Sequence, residues 1–556
     1  MLSLHIHSYY SKLEGTISPK RIVDFAIEQK QNYASLTDTN CMNGLIQCAK
    51  YAEEKKIKPI LGCLITEKED ENISAIFLAK NNQGYSEICK IITTRNLQEE
   101  FSLTEIIKQS SPNFYVITSS LKLITSLLSE KNEFPDLYVE LVVTEQLKKR
   151  TRILYELANK NNLKIVATHP AYFERTEDFL LHQTVCAIRK NSTLENISEN
   201  EVKDPEFYLK DSRELEEIWS KVPEALTNIK EIVKNCNVNL ELGKYKFPEF
   251  PLPKDETAFS YLSQVCFKGL SDKYKYISEE AVKRLEYELS VIQERGFCDY
   301  FLVVWDIIRE ARTRSMMTIG RGSAANSLVS YCLDITQIDP IENDFYFERF
   351  LNRGRVSAPD IDLDFSWKER DEIVKYIFEK YGYDKVAMIS TTITFKARSA
   401  FRETAKVFGL SEREISKFSK LIPWTSASNL PDIENKFPES KSLKFDQEPW
   451  KTIISIAARL SGFPRHLSIH PGGLVITKNP ITDYVALEYA KNKGLGVIIT
   501  QPDMYPIEDM GLIKIDLLSQ RALAVLKDTV NVLASMTKGK EKKLKPKIYK
   551  IDSKAN

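Results

Sequence analysis

Apolar and polar positions along the chain follow two periods. Over residues 1–245 short apolar runs alternate with stretches of helical spacing. "NYASLTD" (32–38), "IKPILGCLIT" (57–66), "AIFLA" (75–79), "LYVELVV" (137–143) and "LKIVATH" (163–169) read as strands. Segments such as "PKRIVDFAIEQKQ" (19–31) read as helices between them. This order predicts a parallel, helix-covered sheet or barrel.

The pattern then changes. "KFPEFPLPKDET" (246–257) places three prolines among charges and reads as a linker. "SEEAVKRLEYELSVIQERGF" (278–297), "DYFLVVWDIIREARTR" (299–314) and "WKERDEIVKYIFEKYG" (367–382) read as amphipathic helices, the last with Gly382 as its C-cap. Residues 400–465 are mostly helical in pattern. "GGLVIT" (472–477), "GVIIT" (496–500) and "GLIKIDLL" (511–518) return to strand character. The end, "TKGKEKKLKPKIYKIDSKAN", is basic and polar and predicts a mobile tail.

Composition narrows the class. At 556 residues the chain exceeds one core, and about three or four domains are expected. It is 43% hydrophobic and 28% charged, ordinary for a soluble globular protein. The net charge of +1 means that any nucleic acid must be met by a local basic patch. The 9 cysteines form no CxxC or Cys/His cluster and read as reduced thiols of a cytoplasmic protein. "MLSLHIHSYYSK" lacks a signal-peptide core, and no apolar run approaches the roughly 20 residues of a membrane span.

Three stretches carry candidate chemistry. "SAPDIDLDFSW" (357–367) puts Asp360, Asp362 and Asp364 two apart, on one face if the stretch is a strand. Ile361, Leu363 and Phe365 make the other face apolar. Like charges so placed need solvent, arginine or a metal to neutralise them. Arg349, Arg353, Arg355 and Arg370 are near in sequence, and Mg²⁺ suits a carboxylate site that also meets phosphate. "IGRGSAANSLVSY" (319–331) sets Gly320, Arg321, Gly322 and Ser323 before a helical run, a turn that could cradle phosphate. It does not fit the P-loop spacing. In "GLIKIDLL", Lys514 and Asp516 share one face of an apolar strand. Asp516 either pairs with Lys514 or Arg521, or completes a carboxylate triad for two metal ions about 4 Å apart.

Residues 295–365 closely resemble the bacterial DNA polymerase III α subunit, the C-family replicative polymerase. The matching text is "RGFCDYFLVVWDII", "GRGSAANSLVSY", "ITQIDPIENDFYFERFLNRGRVSAPDIDLDF" and "RDEIVKYIFEKYG", continued in "FKARSAFRETAKVFG", "HPGGLVI" and "GLIKIDLL". The front half resembles that family's PHP (polymerase and histidinol phosphatase) domain through "LHIHSYYSKLEGTI", "LTDTNCMNG", "PILGCLI" and "VATHPAYF". The resemblance implies an α/β fold: a PHP-type barrel, then a polymerase-β-like nucleotidyltransferase palm with an inserted helical thumb. The expected division is PHP 1–245, linker 246–257, palm 258–399, thumb 400–465, palm again 466–535 and basic tail 536–556.

The resemblance implies catalytic, Mg²⁺-binding roles for Asp360, Asp362 and Asp516, holding two ions, with Asp364 in support. Nucleotide contacts fall to Arg321, Gly322, Ser323 and Lys514, with Arg349, Arg355, Arg398 and Arg402 as further candidates. The implied reaction joins a dNTP to a primer 3′-hydroxyl on primer–template DNA. Two departures qualify it. His5, His7 and Asp38 remain of the PHP ligands, but Thr39, Leu64, Pro170 and Tyr172 stand where active members carry His, Glu, Asp and His. A vestigial PHP site that docks other replication subunits is therefore expected. The family's fingers and clamp-binding segments follow the third aspartate, yet only about forty residues do so here. The chain is thus expected to be incomplete alone. It either works with a separate polymerase half or serves as an interaction module in a replication or repair complex. Asn326, and "LLSQRAL" after the aspartate, also depart from the family pattern.

Overall fold

Six strands in sequence order form the first sheet: β1 (Tyr33–Leu36), β2 (Lys58–Thr66), β3 (Ser74–Ala79), β4 (Phe114–Thr118), β5 (Leu137–Leu141) and β6 (Lys164–Ala167). The computed structural model describes residues 3–109, 111–129, 134–354, 358–490 and 497–536. Arg355 and the basic tail from residue 537 lie outside them. The sheet is mixed, not wholly parallel as the pattern predicts. β1–β2, β4–β5 and β5–β6 are parallel, while β2–β3 and β3–β4 are antiparallel. The 67–73 connection is too short for a helical crossover. It closes as a hairpin, with Glu67 N–H donating to the Ile73 carbonyl at 2.8 Å. β4 is not among the strands the pattern predicts. "FYVIT" is buried at every position, so it shows none of the alternation that marks a half-exposed strand.

The chain divides into two units. The first comprises Met1–Lys244, Ile389–Ile469 and Pro480–Gly511; the second comprises Tyr245–Met388, His470–Asn479 and Leu512–Asn556. In the first unit the helical stretch from Ala397 to Arg459 shares a core with the front sheet's surroundings. Leu181 and Val185, on helix Phe179–Lys190, are buried with Phe401, Ile453 and Ala457. Burying such apolar surface contributes about 25 cal/mol per Å².

In the second unit, helices Glu279–Glu294 and Cys298–Thr313 precede strands β7 (Thr318–Arg321) and β8 (Asp362–Ser366) in the chain. Ser278 caps the first helix by accepting from Ala281 N–H. Helix Arg370–Tyr381 ends at Gly382, whose φ of +99° lies where side chains are disfavoured. The unit boundary falls inside β9 (Val386–Thr394) and β10 (Pro464–Ile476). β11 (Leu487–Tyr489) and β12 (Ile498–Asp503) pair antiparallel in the first unit. β13 (Lys514–Gln520) pairs in the second with β10 and β8. The 9 cysteines are buried and unbonded. Among the described residues no helix is long and apolar enough to cross a membrane.

Candidate active site

β8 lies between β7 and β13, and the register decides what meets. β8 and β13 run parallel with Asp362 opposite Asp516; β7 and β8 run antiparallel with Arg321 opposite Asp362. Asp360 sits just before β8, in a segment held by the Tyr300 hydroxyl, which donates to the Pro359 carbonyl at 3.4 Å. Ile361, Leu363 and Phe365 are buried and fix which face the carboxylates take. One ligand atom from each of Asp360, Asp362 and Asp516 lies within 4.8 Å of the others. Among the described residues no other group of three His, Cys, Asp or Glu converges this way.

The cluster concentrates negative charge. Burial, and then the charges of Asp360 and Asp516, push the Asp362 carboxyl above the ordinary aspartate range. Arg321 and Lys514 pull the other way and do not cancel the shift. Asp516 Oδ1 is buried without a hydrogen-bond partner, an arrangement that costs free energy unless a cation meets it. Three hard oxygen donors, one buried and unpaired, fit Mg²⁺.

Asp364 belongs elsewhere. Arg321 Nε pairs with Asp364 Oδ2 at 3.1 Å, while Arg321 Nη2 stands 3.9 Å from Asp362 Oδ2. Gln520 Nε2 donates to the other Asp364 oxygen at 3.3 Å. Arg321 is therefore closest to Asp364 and more distant from Asp362, while Asp360 and Asp362 converge with Asp516. Lys514 Nζ pairs with Asp516 Oδ2 at 2.9 Å. The ion pair and the triad, alternatives in the sequence, are both present.

The glycine turn is built by close approach. A Cβ on Gly320 would stand 2.1 Å from the Ile335 carbonyl oxygen, and Gly322 has φ +72°. Ser323 follows, half-buried, and its carbonyl accepts from Asn326 Nδ2 at 2.9 Å. Beneath the turn, buried Glu288 accepts from Ser327 Oγ, Leu328 N–H and Val329 N–H at 2.7, 2.9 and 3.0 Å. Arg284 Nε pairs with Glu288 at 3.1 Å. Glu288 is absent from the sequence-derived candidates. Its signal is its place among Leu285, Leu289 and Ile292 on the buried face of one helix. Arg349 is exposed in the turn Phe347–Arg349. Arg398 and Arg402 lie in the first unit, where Arg398 donates to the Ile422 carbonyl and Arg402 pairs with Glu412.

The second histidine-rich cluster is internally committed. Asp38 Oδ1 accepts from Ser8 N–H at 2.6 Å and Ser11 Oγ at 2.7 Å, and Oδ2 accepts from Ser8 Oγ at 2.7 Å. Burial pushes its carboxyl up to about 6 against these bonds. His5 Nδ1 donates to Glu140 at 2.7 Å, and His7 stacks on Tyr172 with centroids 4.0 Å apart. Arg189 pairs with Glu14, and Lys203 Nζ stands 3.7 Å from the same carboxylate. Thr39 and Leu64 bridge neighbouring strands and offer a hydroxyl and an alkyl chain. Among the described residues this cluster brings no three metal-ligating atoms together, and the Nε2 atoms of His5 and His7 are buried and unpartnered. A cavity of about 860 Å³ opens beside Ser11, Glu14 and Thr39. Among its charged lining residues, Lys12 pairs with Glu488 and Arg465 with Glu403.

An α/β chain with these two parts has matches for each. Residues 3–178 match the PHP domain family, and residues 260–519 match the bacterial DNA polymerase III alpha NTPase domain. The chain is 33% identical over 554 residues to the DNA polymerase III subunit alpha of Bacillus subtilis, covering 95% of this chain and 49% of that protein. It is 30% identical over 571 residues to the error-prone DNA polymerase of Symbiobacterium thermophilum, covering 96% and 52%. With the DNA polymerase III subunit alpha of Pseudomonas aeruginosa the identity is 32% over 570 residues, covering 95% and 48%. The chain thus joins a PHP segment to a DNA polymerase III alpha segment, and 95% of it aligns with DNA polymerase III alpha subunits. It spans about half the length of the curated relatives it matches.

Proposed function

We propose that this chain carries the nucleotidyl-transfer site of a DNA-directed DNA polymerase. The observation that carries the reading is the convergence of Asp360, Asp362 and Asp516 within 4.8 Å, inside the segment that matches the polymerase family. These three residues would hold two Mg²⁺ ions. Bound there, the ions supply Lewis-acid stabilisation of triphosphate charge and lower the pKa of the attacking 3′-hydroxyl. The chain's own cations do the rest. Arg321, at the end of β7, and Lys514, on β13, are the residues for the triphosphate of a dNTP, with the turn at Gly322 and Ser323 beside them. Arg349 and Arg355 are further candidates for that role. Asp364 holds Arg321 in the absence of nucleotide, which sets the direction of its guanidinium.

Primer–template DNA and dNTP are the substrates of this reading, and the cytoplasm is its compartment. The extra length of the relatives is where fingers and clamp-binding segments belong, on this or a separate polypeptide. His5, His7 and Asp38 are vestigial ligands, and the PHP domain is an attachment surface for other replication subunits. Metal analysis after dialysis should find no Zn²⁺ or Mn²⁺ that is lost on substituting His5 and His7. The polymerase reading is tested by primer extension with Mg²⁺ and four dNTPs. The chain is assayed alone and with the C-terminal half of the B. subtilis relative. Extension that vanishes with Asp362→Asn supports the reading. Extension unchanged by Asp362→Asn, or none in either mixture, counts against it.

A further inference from the structure

The cross-strand partner of Asp516 is a glycine. In the antiparallel pair of β10 and β13, Gly473 stands opposite Asp516 and leaves the space over it empty of its own side chain. His470 fills that space from three residues upstream. Its Nδ1 accepts from Gly473 N–H at 2.6 Å and lies 3.3 Å from Gly472 N. An Nδ1 that accepts from a backbone amide leaves the ring proton on Nε2. So anchored, Nδ1 stands 3.7 Å from Asp516 Oδ1, the buried oxygen with no hydrogen-bond partner. The ring is a wall on that side of the carboxylate. A Cβ on Gly473 would meet both groups, His470 Nδ1 at 2.8 Å and Asp516 Oδ1 at 3.2 Å, so the glycine is required by this packing and not by its backbone angles.

We propose that His470 is a positioning residue that fixes the Asp516 carboxylate in the rotamer facing Asp360 and Asp362. It does so through its anchor on the Gly473 amide and without touching metal or nucleotide. The inference rests on the reading of the three aspartates as a cation site. Groups that orient metal ligands in this way typically cost about 10–100-fold in metal affinity when removed.

The test is Mn²⁺ binding to the full chain, followed by electron paramagnetic resonance. His470→Leu fills the space but removes the acceptor, and should weaken Mn²⁺ binding about 10-fold. His470→Asn keeps an acceptor near the Nδ1 position and should stay within about threefold of wild type. Gly473→Ala keeps the imidazole but pushes it against Asp516, and should lose affinity as His470→Leu does. It decides the matter if His470→Leu does not fold. If His470→Leu and Gly473→Ala both bind as wild type does, or if His470→Asn is as weak as His470→Leu, the positioning role is overturned. If wild type itself binds no Mn²⁺, or Asp362→Asn binds equally well, the cation-site reading fails instead.

Discussion

Asp362 and Asp516 stand directly opposite each other on two parallel strands, 154 positions apart in sequence and paired in register. Like charges placed so in a sheet are destabilising by roughly 0.2–1 kcal/mol. The arrangement stores a repulsion that a bound divalent ion removes.

Asp362→Asn should therefore stabilise the chain in metal-free buffer, by a gain on the order of 0.2–1 kcal/mol. The pH dependence follows from the raised Asp362 carboxyl. Between the ordinary aspartate range and the raised value, the folded chain holds a proton that the unfolded chain has released. Stability therefore falls as pH rises through that window. Urea melts with chelator should show this loss in wild type and not in Asp362→Asn. Added Mg²⁺ should stabilise wild type alone. A variant that is less stable without metal would contradict the stored repulsion.

His182 gives a slope of the opposite sign. Its Nδ1 donates to the Glu14 carbonyl at 2.8 Å, and its Nε2 accepts from Lys203 N–H at 3.0 Å, so the folded ring has no place for a second proton. Burial lowers it to about 4. Below the ordinary histidine range the unfolded chain binds a proton the folded chain does not. Stability is then lost as pH falls, by up to about 1.4 kcal/mol per pH unit for this group. His182→Gln should remove about half a proton from the difference measured at pH 6.5 and close to one at pH 5. An unchanged slope would show that the ring charges in place.

Glu288 ties the glycine turn to the helix behind it through three donors and Arg284. Glu288→Ala strands those donors and the guanidinium, and should cost about 3–5 kcal/mol in urea unfolding. Glu288→Gln, which keeps an acceptor but loses the charge, should cost about 1–3 kcal/mol. A loss under about 1 kcal/mol for the alanine variant would mean that water replaces the carboxylate.

Much of this was legible in the sequence, and what was not has physical causes. The phase of "PDIDLDF" and "IKIDLL" already sets their aspartates on one face of each strand. Which strands would be neighbours is a long-range matter that phase alone does not fix; here the resemblance supplied it. Local spacing could not separate Asp364 from its neighbours, because Arg321 reaches it from another strand, from the position opposite Asp362. Glu288 and His470 were missed for a similar reason. Each acts on residues met only after folding: backbone amides 40 and 41 positions away for Glu288, and a carboxylate on another strand for His470. β4 hid as a short run buried on both faces, and the hairpin of β2 and β3 broke an otherwise parallel expectation.

Arg321 should matter for nucleotide and not for folding. Its side chain is 45% exposed, and its partner Asp364 retains Gln520 when the guanidinium is removed. Arg321→Ala should weaken binding of a fluorescent dNTP about 10-fold, and Arg321→Lys, with the charge but not the planar fork, should fall between. Equal affinity in all three would remove Arg321 from the triphosphate site.

Asp360, Asp362 and Asp516 together should hold the divalent ions of the site. Anomalous diffraction from crystals of the chain soaked in Mn²⁺ tests this directly. The account predicts a manganese peak among the three carboxylates, with oxygens at about 2.0–2.4 Å, and its loss in Asp362→Asn. No peak there in saturating Mn²⁺, with Lys514 still bound to Asp516, would contradict it.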